Sequence, residues 1–142
     1  MSFTTDIKEE LSRIPPVCSH CDKATLSSLI RIEGSLVLQG AGNMSLEIDT
    51  DSSQAARLIV RLLHSLYQLK TDLTMRRSVL HKTPNYLIKV PMQPALPDAR
   101  RDLGVVSMAG FTQGIDTDIV KKRCCAAAYL RGVFLGCGFL AN

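Results

Sequence analysis

Tryptophan is absent from this chain of 142 residues, and aromatic residues make up only 5% of it. The core must therefore be mainly aliphatic, and a surface that stacks unpaired bases on aromatic rings is not expected. No apolar run reaches the roughly 18 residues that a membrane-spanning helix needs. The first residues also lack the apolar stretch that marks a secretory signal peptide. These absences predict a cytoplasmic protein without a membrane partner.

Positively charged residues only slightly outnumber negatively charged ones. The chain carries 17 basic and 13 acidic residues, for a net charge of +4. This bias permits a nucleic-acid partner without requiring one. The hydrophobic share of 46% is typical of a packed globular domain. Neither a glycine-rich phosphate loop nor a Ser–His–Asp order is present, so no familiar catalytic motif indicates an enzyme.

Hydrophobic periodicity predicts helices that alternate with antiparallel hairpins. Apolar residues recur at helical spacing behind capping residues, and elsewhere they alternate with polar residues around turns. Hairpins separated by helices favour an α+β fold over a parallel α/β sheet. Helices are expected over residues 4–14, 21–33, 98–103 and 118–136, and from a cap at 51 or 52 to about 69. Strands are expected in a hairpin at 35–49 and at 72–80 and 86–90, with turns at 40–43 and 81–85.

Two stretches, LSSLIRIEG at 26–34 and LRGVFLGCG at 130–138, repeat at a constant offset of 104 residues. The offset indicates a duplicated unit rather than a solenoid. Glycine inside a helix costs about 1 kcal/mol relative to alanine, so close packing of two helix backbones is expected to compensate. Gly34, which ends the first stretch, is expected in a left-handed helix cap. The helix-packing residues would be Leu26, Ser27, Ser28, Leu29, Gly34, Leu130, Gly132, Gly136 and Gly138.

Both stretches resemble the LAGLIDADG motif of homing endonucleases. The first has Leu, Leu, Ile, an acid and Gly at the matching places, and the second keeps Leu130, Gly132 and Gly138. The resemblance implies two motif helices that cross at a pseudo-twofold axis, each opening an αββαββ unit. It also implies that the hairpins form a saddle over DNA, and that the acid before the last glycine binds a catalytic divalent metal.

Further segments narrow the resemblance to the WhiA family of bacterial transcription regulators. SFTTDIKEELSRI and RCCAAAYLRGVFLGCGFL are similar to that family at both ends of the chain. The resemblance implies a nucleoid-associated regulator of cell division, chromosome segregation or sporulation that binds double-stranded DNA and other transcription regulators. It implies an N-terminal helix and Pro-containing linker at 1–20, a first repeat at 21–117, and the first helix of a second repeat at 118–142. The rest of that repeat and a helix-turn-helix domain would be missing.

The acid positions of the two motifs predict that the chain is not a nuclease. Glu33 occupies the acid place in the first motif, but Cys137 occupies it in the second. Magnesium prefers oxygen ligands, and a thiol is a poor substitute. We therefore expect a degenerate scaffold with no catalytic residue and no cofactor, in which Glu33 is either a vestige of the metal site or an ordinary exposed residue.

Two other functions stay open at this point. One is a docking module for proteins that has no DNA binding of its own. The other is an endonuclease half that is active only as a homodimer, in which two copies of Glu33 would complete the metal site. A homodimer could also cover an exposed motif helix.

Basic residues on the second hairpin are candidates for contacts with DNA phosphates. The alternative is a solvated sheet face of the kind that many α+β proteins have. The candidates are Arg76, Arg77, Lys82 and Lys89.

Four cysteines form a weaker candidate site for zinc. Cys18 and Cys21 have the C-x-x-C spacing of thiolate ligands, and the repeat places Cys21 and Cys125 at equivalent helix starts. Against this, adjacent cysteines such as Cys124 and Cys125 seldom both face one metal, and buried thiols commonly pack as small apolar groups. Thiol packing is the favoured interpretation of the sequence alone.

Overall fold

The computed structural model describes residues 3–38, 44–77, 84–104, 106–107, 110–111 and 114–138. Helices and hairpins alternate along these ranges, so the expected α+β class and the αββαββ order from α2 to β4 are confirmed. No helix among the described residues has the length and apolar character to cross a membrane. The helices are α1 (Phe3–Ser12), α2 (Cys21–Glu33), α3 (Ser53–Tyr67), α4 (Leu96–Asp102) and α5 (Arg123–Cys137). The strands are β1 (Gly34–Leu38), β2 (Met44–Thr50), β3 (Asp72–Arg77), β4 (Pro84–Val90), β5 (Val106–Ser107) and β6 (Gly110–Phe111).

The four longer strands form one antiparallel sheet in the order β1-β2-β4-β3. Leu46 lies opposite Val90, and Ile48 lies opposite Ile88. Partners in an antiparallel pair place their side chains on the same face, and these four side chains are at most 1% exposed. This face, here called the inner face, packs against α2 and α3. The outer face carries the alternate residues of each strand.

The core lies between the inner face and the helices. Leu26, Leu29 and Ile30 of α2 and Ile59 of α3 are fully buried in it. Leu135 of α5 reaches the same cluster and is also fully buried. Burial of each such side chain contributes about 1.5–3 kcal/mol. The second motif helix is therefore attached to the core of the first repeat by its own apolar side chain.

Most helix boundaries agree with the sequence prediction. α2 has the predicted bounds, and α3 begins behind Ser52, whose Oγ accepts a hydrogen bond from the Ala55 N–H at 3.2 Å. α3 ends at Tyr67, where Gln68 takes a left-handed conformation with φ 52°. α1 ends at Ser12, two residues before the predicted end.

The predicted start of the last helix at residue 118 is wrong. A turn occupies this position, because the Asp116 carboxylate accepts a hydrogen bond from the Asp118 N–H at 3.0 Å. The Asp116 carbonyl accepts a second bond from the N–H of Ile119, which is buried. α5 begins only at Arg123. Aspartate favours turns as well as helix starts, so the sequence pattern was compatible with both.

The predicted left-handed cap at Gly34 is also wrong. Gly34 has an extended backbone (φ −92°, ψ 155°), because α2 leads directly into β1. Gly138 is extended as well (φ −72°, ψ 152°). A Cβ at Gly34 would overlap the Ile30 carbonyl oxygen, and one at Gly138 would overlap the Phe134 ring. Glycine is required at both places for close approach, not for left-handed geometry.

The short hairpin of β5 and β6 was not predicted, because two-residue strands are too short to show a period. The short helix predicted at 98–103 is α4, which begins two residues earlier. The turn predicted at 40–43, residues 78–80 of the predicted strand and residues 81–83 of the second turn lie outside the described residues.

Candidate functional sites

The two motif helices, α2 and α5, pack side by side through their small residues. The Thr25 hydroxyl donates a hydrogen bond to the Ala128 carbonyl oxygen at 3.1 Å, which joins the two helices directly. A Cβ at Gly132 would overlap Ser28 Oγ and lie 2.7 Å from the Thr25 carbonyl oxygen. Ala24 and Ala128 are both fully buried. The helix backbones therefore approach so closely that Gly132 has no room for a side chain.

Other members of the expected packing set have different surroundings. Ser27 donates a hydrogen bond to the Leu103 carbonyl oxygen at 2.6 Å, so it joins α2 to the end of α4. Leu29 lies in the core. Leu26 is fully buried, whereas Leu130 at the equivalent place of the repeat is 68% exposed. Equivalent residues of the two motif helices are thus similarly buried where the helices touch, as Ala24 and Ala128 are, but differently buried elsewhere, as Leu26 and Leu130 are.

Glu33 lies at the end of α2, across from Gly136 of α5. A Cβ at Gly136 would be 3.4 Å from both Cγ and Oε1 of Glu33, which is ordinary contact, so the Glu33 side chain lies directly beside Gly136. The pKa of the Glu33 carboxyl is raised from 4.5 to about 7, first by burial and then by the carboxylates of Asp51 and Asp49. Lys8 opposes this rise. Glu33 is therefore a half-buried residue rather than an ordinary exposed one.

Cys137 does not complete a magnesium site with Glu33. Its side chain is exposed, and its thiol donates a hydrogen bond to the Val133 carbonyl oxygen at 3.4 Å. One carboxyl with a raised pKa and one thiol are a poor donor set for a hard cation. The residues at the motif ends therefore do not fit the catalytic metal that the LAGLIDADG resemblance implies.

The raised pKa of Glu33 predicts a pH-dependent stability. Because the folded state favours the protonated carboxyl, its stabilising contribution is complete below pH 4.5 and is lost as the pH rises to about 7. The side chain is half exposed, so we expect a change of about 1 kcal/mol after allowance for solvent screening. Glu33→Gln should remove this loss. The unfolding free energy of the variant, relative to that of the unmodified chain, should therefore increase between pH 4.5 and 8.

Urea unfolding at several pH values measures this effect. Glu47→Gln, which removes one carboxylate from the neighbouring strand β2, is the control for a general change in net charge. An unchanged pH profile in Glu33→Gln, or the same change in Glu47→Gln, would show that Glu33 is not responsible.

The four basic candidates of the second hairpin do not share one surface. Arg76 lies opposite Asn85 on the outer face, and Lys89 lies on the same face. Lys89 is four positions beyond Asn85 along β4, so the two cations lie on neighbouring strands about 13 Å apart along the strand direction. Arg77 points to the inner side of β3, and Lys82 lies outside the described residues. Two of the four candidates therefore form an exposed pair.

Carboxylates share the outer face with this pair. Glu47 and Asp72 lie opposite Lys89 on the neighbouring strands. The Arg76 guanidinium is 3.7 Å from the Asp49 carboxylate, and both side chains are exposed. Exposed ion pairs contribute about 0–1 kcal/mol. Breaking the Arg76–Asp49 ion pair so that Arg76 binds another anion should therefore cost little free energy.

The four cysteines of the zinc candidate come together. Cys18 precedes α2, Cys21 begins it, and Cys124 and Cys125 lie in the first turn of α5. Their Sγ atoms all lie within 4.8 Å of one another. The pKa of the Cys18 thiol is lowered to about 6, first by a hydrogen bond from the His20 backbone and then by Cys124. Contrary to the expectation for adjacent cysteines, both Cys124 and Cys125 face this group.

Sequence reasoning missed Thr25, Asp49 and Asp51. Thr25 lies between two buried apolar residues in a stretch of small side chains, which is a signal for a polar contact between helices. Asp49 and Asp51 approach Glu33 because β2 returns along β1. The predicted hairpin at 35–49 was the signal that could have indicated this contact.

The sequence model of the WhiA N-terminal LAGLIDADG-like domain matches residues 19–106. This segment is more than half of the chain. The chain belongs to the WhiA family. The family and the LAGLIDADG-like fold expected from the motifs are thus confirmed.

Two relatives in the WhiA family are similar over nearly the whole chain. The probable cell division protein WhiA of Heliobacterium modesticaldum is 38% identical over 97% of this chain and 44% of its own length. That of Brevibacillus brevis is 39% identical over 97% of this chain and 43% of its own length. The chain therefore spans less than half the length of these curated relatives.

A solved structure shows the same fold. The N-terminal LAGLIDADG domain of a DUF199/WhiA protein aligns with a TM-score of 0.66 and 18% sequence identity. The alignment covers 95% of this chain and 58% of that one. The likeness places the αββαββ unit and the paired motif helices in the WhiA type of LAGLIDADG fold.

Proposed function

We propose that this chain is the amino-terminal part of a DNA-binding transcription regulator linked to cell division, chromosome segregation or sporulation. It acts in the cytoplasm at the nucleoid. In this proposal, residues 21–117 form the first LAGLIDADG-like repeat and residues 118–142 begin the second. The rest of that repeat and a helix-turn-helix domain would belong to the remainder of a full-length parent. Names of relatives that refer to cell division support the assignment.

The observation that carries the proposal is that the contact between the two motif helices is kept, while Cys137 takes the place of an acid at the end of the second helix. The helix contact that builds a LAGLIDADG scaffold is complete, since Thr25 bonds to Ala128 and Gly132 accommodates Ser28. The acid pair that would cut DNA is not complete, because Cys137 replaces one carboxylate and Glu33 packs over Gly136. A scaffold that keeps its architecture and loses its metal ligands suits binding without cleavage.

The outer face of the sheet is the surface that we assign to DNA. Arg76 and Lys89 are exposed on it, Thr74 adds a hydroxyl between them along β3, and Asn85 adds an amide opposite Arg76. Cations about 13 Å apart along the direction of two neighbouring strands can contact phosphates, while hydroxyl and amide groups can contact groove edges.

Double-stranded DNA is expected to bind this chain with an affinity that falls as salt rises, and to stay intact with Mg²⁺ or Mn²⁺. Fluorescence anisotropy at about 50 and 200 mM salt measures the binding, and a denaturing gel then examines the DNA. Arg76→Ala combined with Lys89→Ala should weaken binding and lower the salt slope by about 2, since two phosphate contacts are lost. The single variants Arg76→Ala and Arg77→Ala are the matched pair, because each removes one positive charge from β3, the first from the outer face and the second from the other face.

Equal losses in Arg76→Ala and in Arg77→Ala would contradict the assignment to the outer face. Cleaved DNA would contradict the loss of nuclease activity. Cleavage that rises steeply with chain concentration and disappears in Glu33→Gln would instead support the endonuclease half that works as a homodimer.

A second candidate function is docking of another protein, such as a further transcription regulator, on the same face. The observation that favours it is that the outer face carries charges of both signs. Near Arg76 and Lys89 lie the carboxylates of Glu47, Asp49 and Asp72. Neighbouring carboxylates repel phosphates but suit a partner that carries charges of both signs. Absence of DNA binding even at about 50 mM salt would favour this candidate over the first.

A further inference from the structure

We propose that Cys18, Cys21, Cys124 and Cys125 bind one zinc ion that holds the two motif helices together. The site is distinct from the motif ends, because it lies where α2 and α5 begin rather than where they end. Its chemistry is also different, since all four donors are sulfur.

The spacing of the sulfur atoms fits a single metal ion. The Cys18 Sγ is 3.5 Å from the Sγ atoms of Cys21, Cys124 and Cys125. All four lie within 4.8 Å of one another. Four thiolates at the usual Zn–S distance in a tetrahedron are about 3.8 Å apart. Disulfide sulfurs would be about 2.05 Å apart, and an iron–sulfur cluster would distribute the four thiolates over two or four iron atoms, so that not all of them could lie this close together.

The choice of zinc follows from the ligand type. Tetrahedral sites with four thiolates are characteristic of structural zinc, and their coordination is closed. The hard cations Mg²⁺ and Ca²⁺ prefer oxygen donors. A closed site leaves no position for water or substrate, so the zinc would be structural rather than catalytic.

The surroundings favour negative charge at this point. Cys21 and Cys124 lie in the first turns of α2 and α5, where the unpaired N–H groups and the helix dipoles are positive. Lys121, Lys122 and Arg123 directly precede Cys124 and are exposed. Cations at a helix start are unfavourable on their own. Four thiolates carry more negative charge than one Zn²⁺ neutralises, so a zinc site explains the cations.

The position of the cysteines explains what zinc would add. They form one end of a small apolar cluster that also contains Ala24, Ala128 and Tyr129. This cluster is separate from the main core of the sheet. A metal ion here would join segments 107 residues apart, from Cys18 to Cys125. Cys18 and Cys124 are partly exposed, which leaves a path for the metal to enter.

Packing of reduced thiols without a metal explains this arrangement less well than a zinc site does. Alanine would fill a small apolar site without the risk of oxidation that partly exposed thiols such as Cys18 and Cys124 carry. Packing also gives no reason for four thiols to converge from two distant segments.

Metal analysis of the purified chain tests the proposal. The chain is expressed without a histidine tag, purified with a non-thiol reductant and no chelator, and analysed by inductively coupled plasma mass spectrometry. We expect one zinc ion per chain and no visible absorption. Cys18→Ser and Cys125→Ser should each lose the zinc, while Cys137→Ser, which removes the fifth and exposed cysteine, should keep it.

A second measurement covers the case in which the serine variants do not fold. Zinc is removed from the unmodified chain with a chelator, and Co²⁺ is then added. We expect the visible absorption bands of tetrahedral thiolate-bound Co²⁺ at one equivalent, and a thermal unfolding midpoint that falls on chelation and recovers with Zn²⁺. The proposal is overturned if no zinc is found after growth with added zinc, if iron and sulfide are found instead, or if Cys137→Ser loses as much metal as Cys18→Ser.

Discussion

Leu135→Ala is expected to lower the free energy of unfolding by about 2–5 kcal/mol, as buried Leu-to-Ala changes do. Leu135 is the fully buried side chain that α5 contributes to the main core beside Leu29 and Ile59. Its removal leaves a cavity in the main core, where α5 packs against α2 and α3. Urea unfolding followed by circular dichroism measures the loss as a lower midpoint at an unchanged slope.

Leu130→Ala is the matched control on the same helix. Leu130 is 68% exposed, so the same change should alter the unfolding free energy by less than about 0.5 kcal/mol. Equal effects of the two changes would mean that α5 does not turn its Leu135 side toward the core.

Gly132→Ala is expected to lower the free energy of unfolding by up to about 2 kcal/mol. The new Cβ would overlap Ser28 Oγ and press on the Thr25 carbonyl oxygen, which belongs to the backbone and cannot rotate away. Overpacking of this kind costs about 1–3 kcal/mol or more, and the gain in helix propensity of about 1 kcal/mol offsets only part of it. The same unfolding measurement at one pH determines the sign.

Gly136→Ala separates close packing from helix propensity. A Cβ at Gly136 would meet Glu33 and Ile32 at 3.4–3.5 Å, which is ordinary contact. This variant should be neutral or more stable by up to about 1 kcal/mol. Stabilisation by Gly132→Ala as well would show that the helices are not in close contact at Ser28.

Repetition and local pattern explain why the helix pair was predictable from the sequence. Small residues at Ala24 and Ser28, repeated as Ala128 and Gly132, indicate two helix faces that can fit closely together. The bounds of α2 follow from the same pattern. The exposure of Leu130 could not be predicted, because its sequence context matches that of the buried Leu26, and only the sheet beside α2 distinguishes them.

The candidate sites were predictable only in part, because their contacts join distant segments. The alternation of β3 places Arg76 on the polar face, and the same alternation should have removed Arg77 from the DNA candidates. Spacing suggested the pair of Cys18 and Cys21, and the repeat suggested that Cys125 could approach Cys21. That Cys124 also faces this group depends on the packing of α5 against α2. The raised pKa of Glu33 depends first on its burial and then on the carboxylates of Asp51 and Asp49, which tertiary packing brings near it.

The pairing of α2 with α5 also has a consequence for synthesis of the chain. Thr25 and Ala128, which bond across the two helices, are 103 residues apart in sequence. At about 5–20 residues per second, the ribosome needs roughly 5–20 s to make the second helix after the first. During that interval the α2 face with Ala24 and Ser28 has no partner in the nascent chain. The sheet and α3 can form early, so this protein should complete its fold from a partly structured intermediate late in translation.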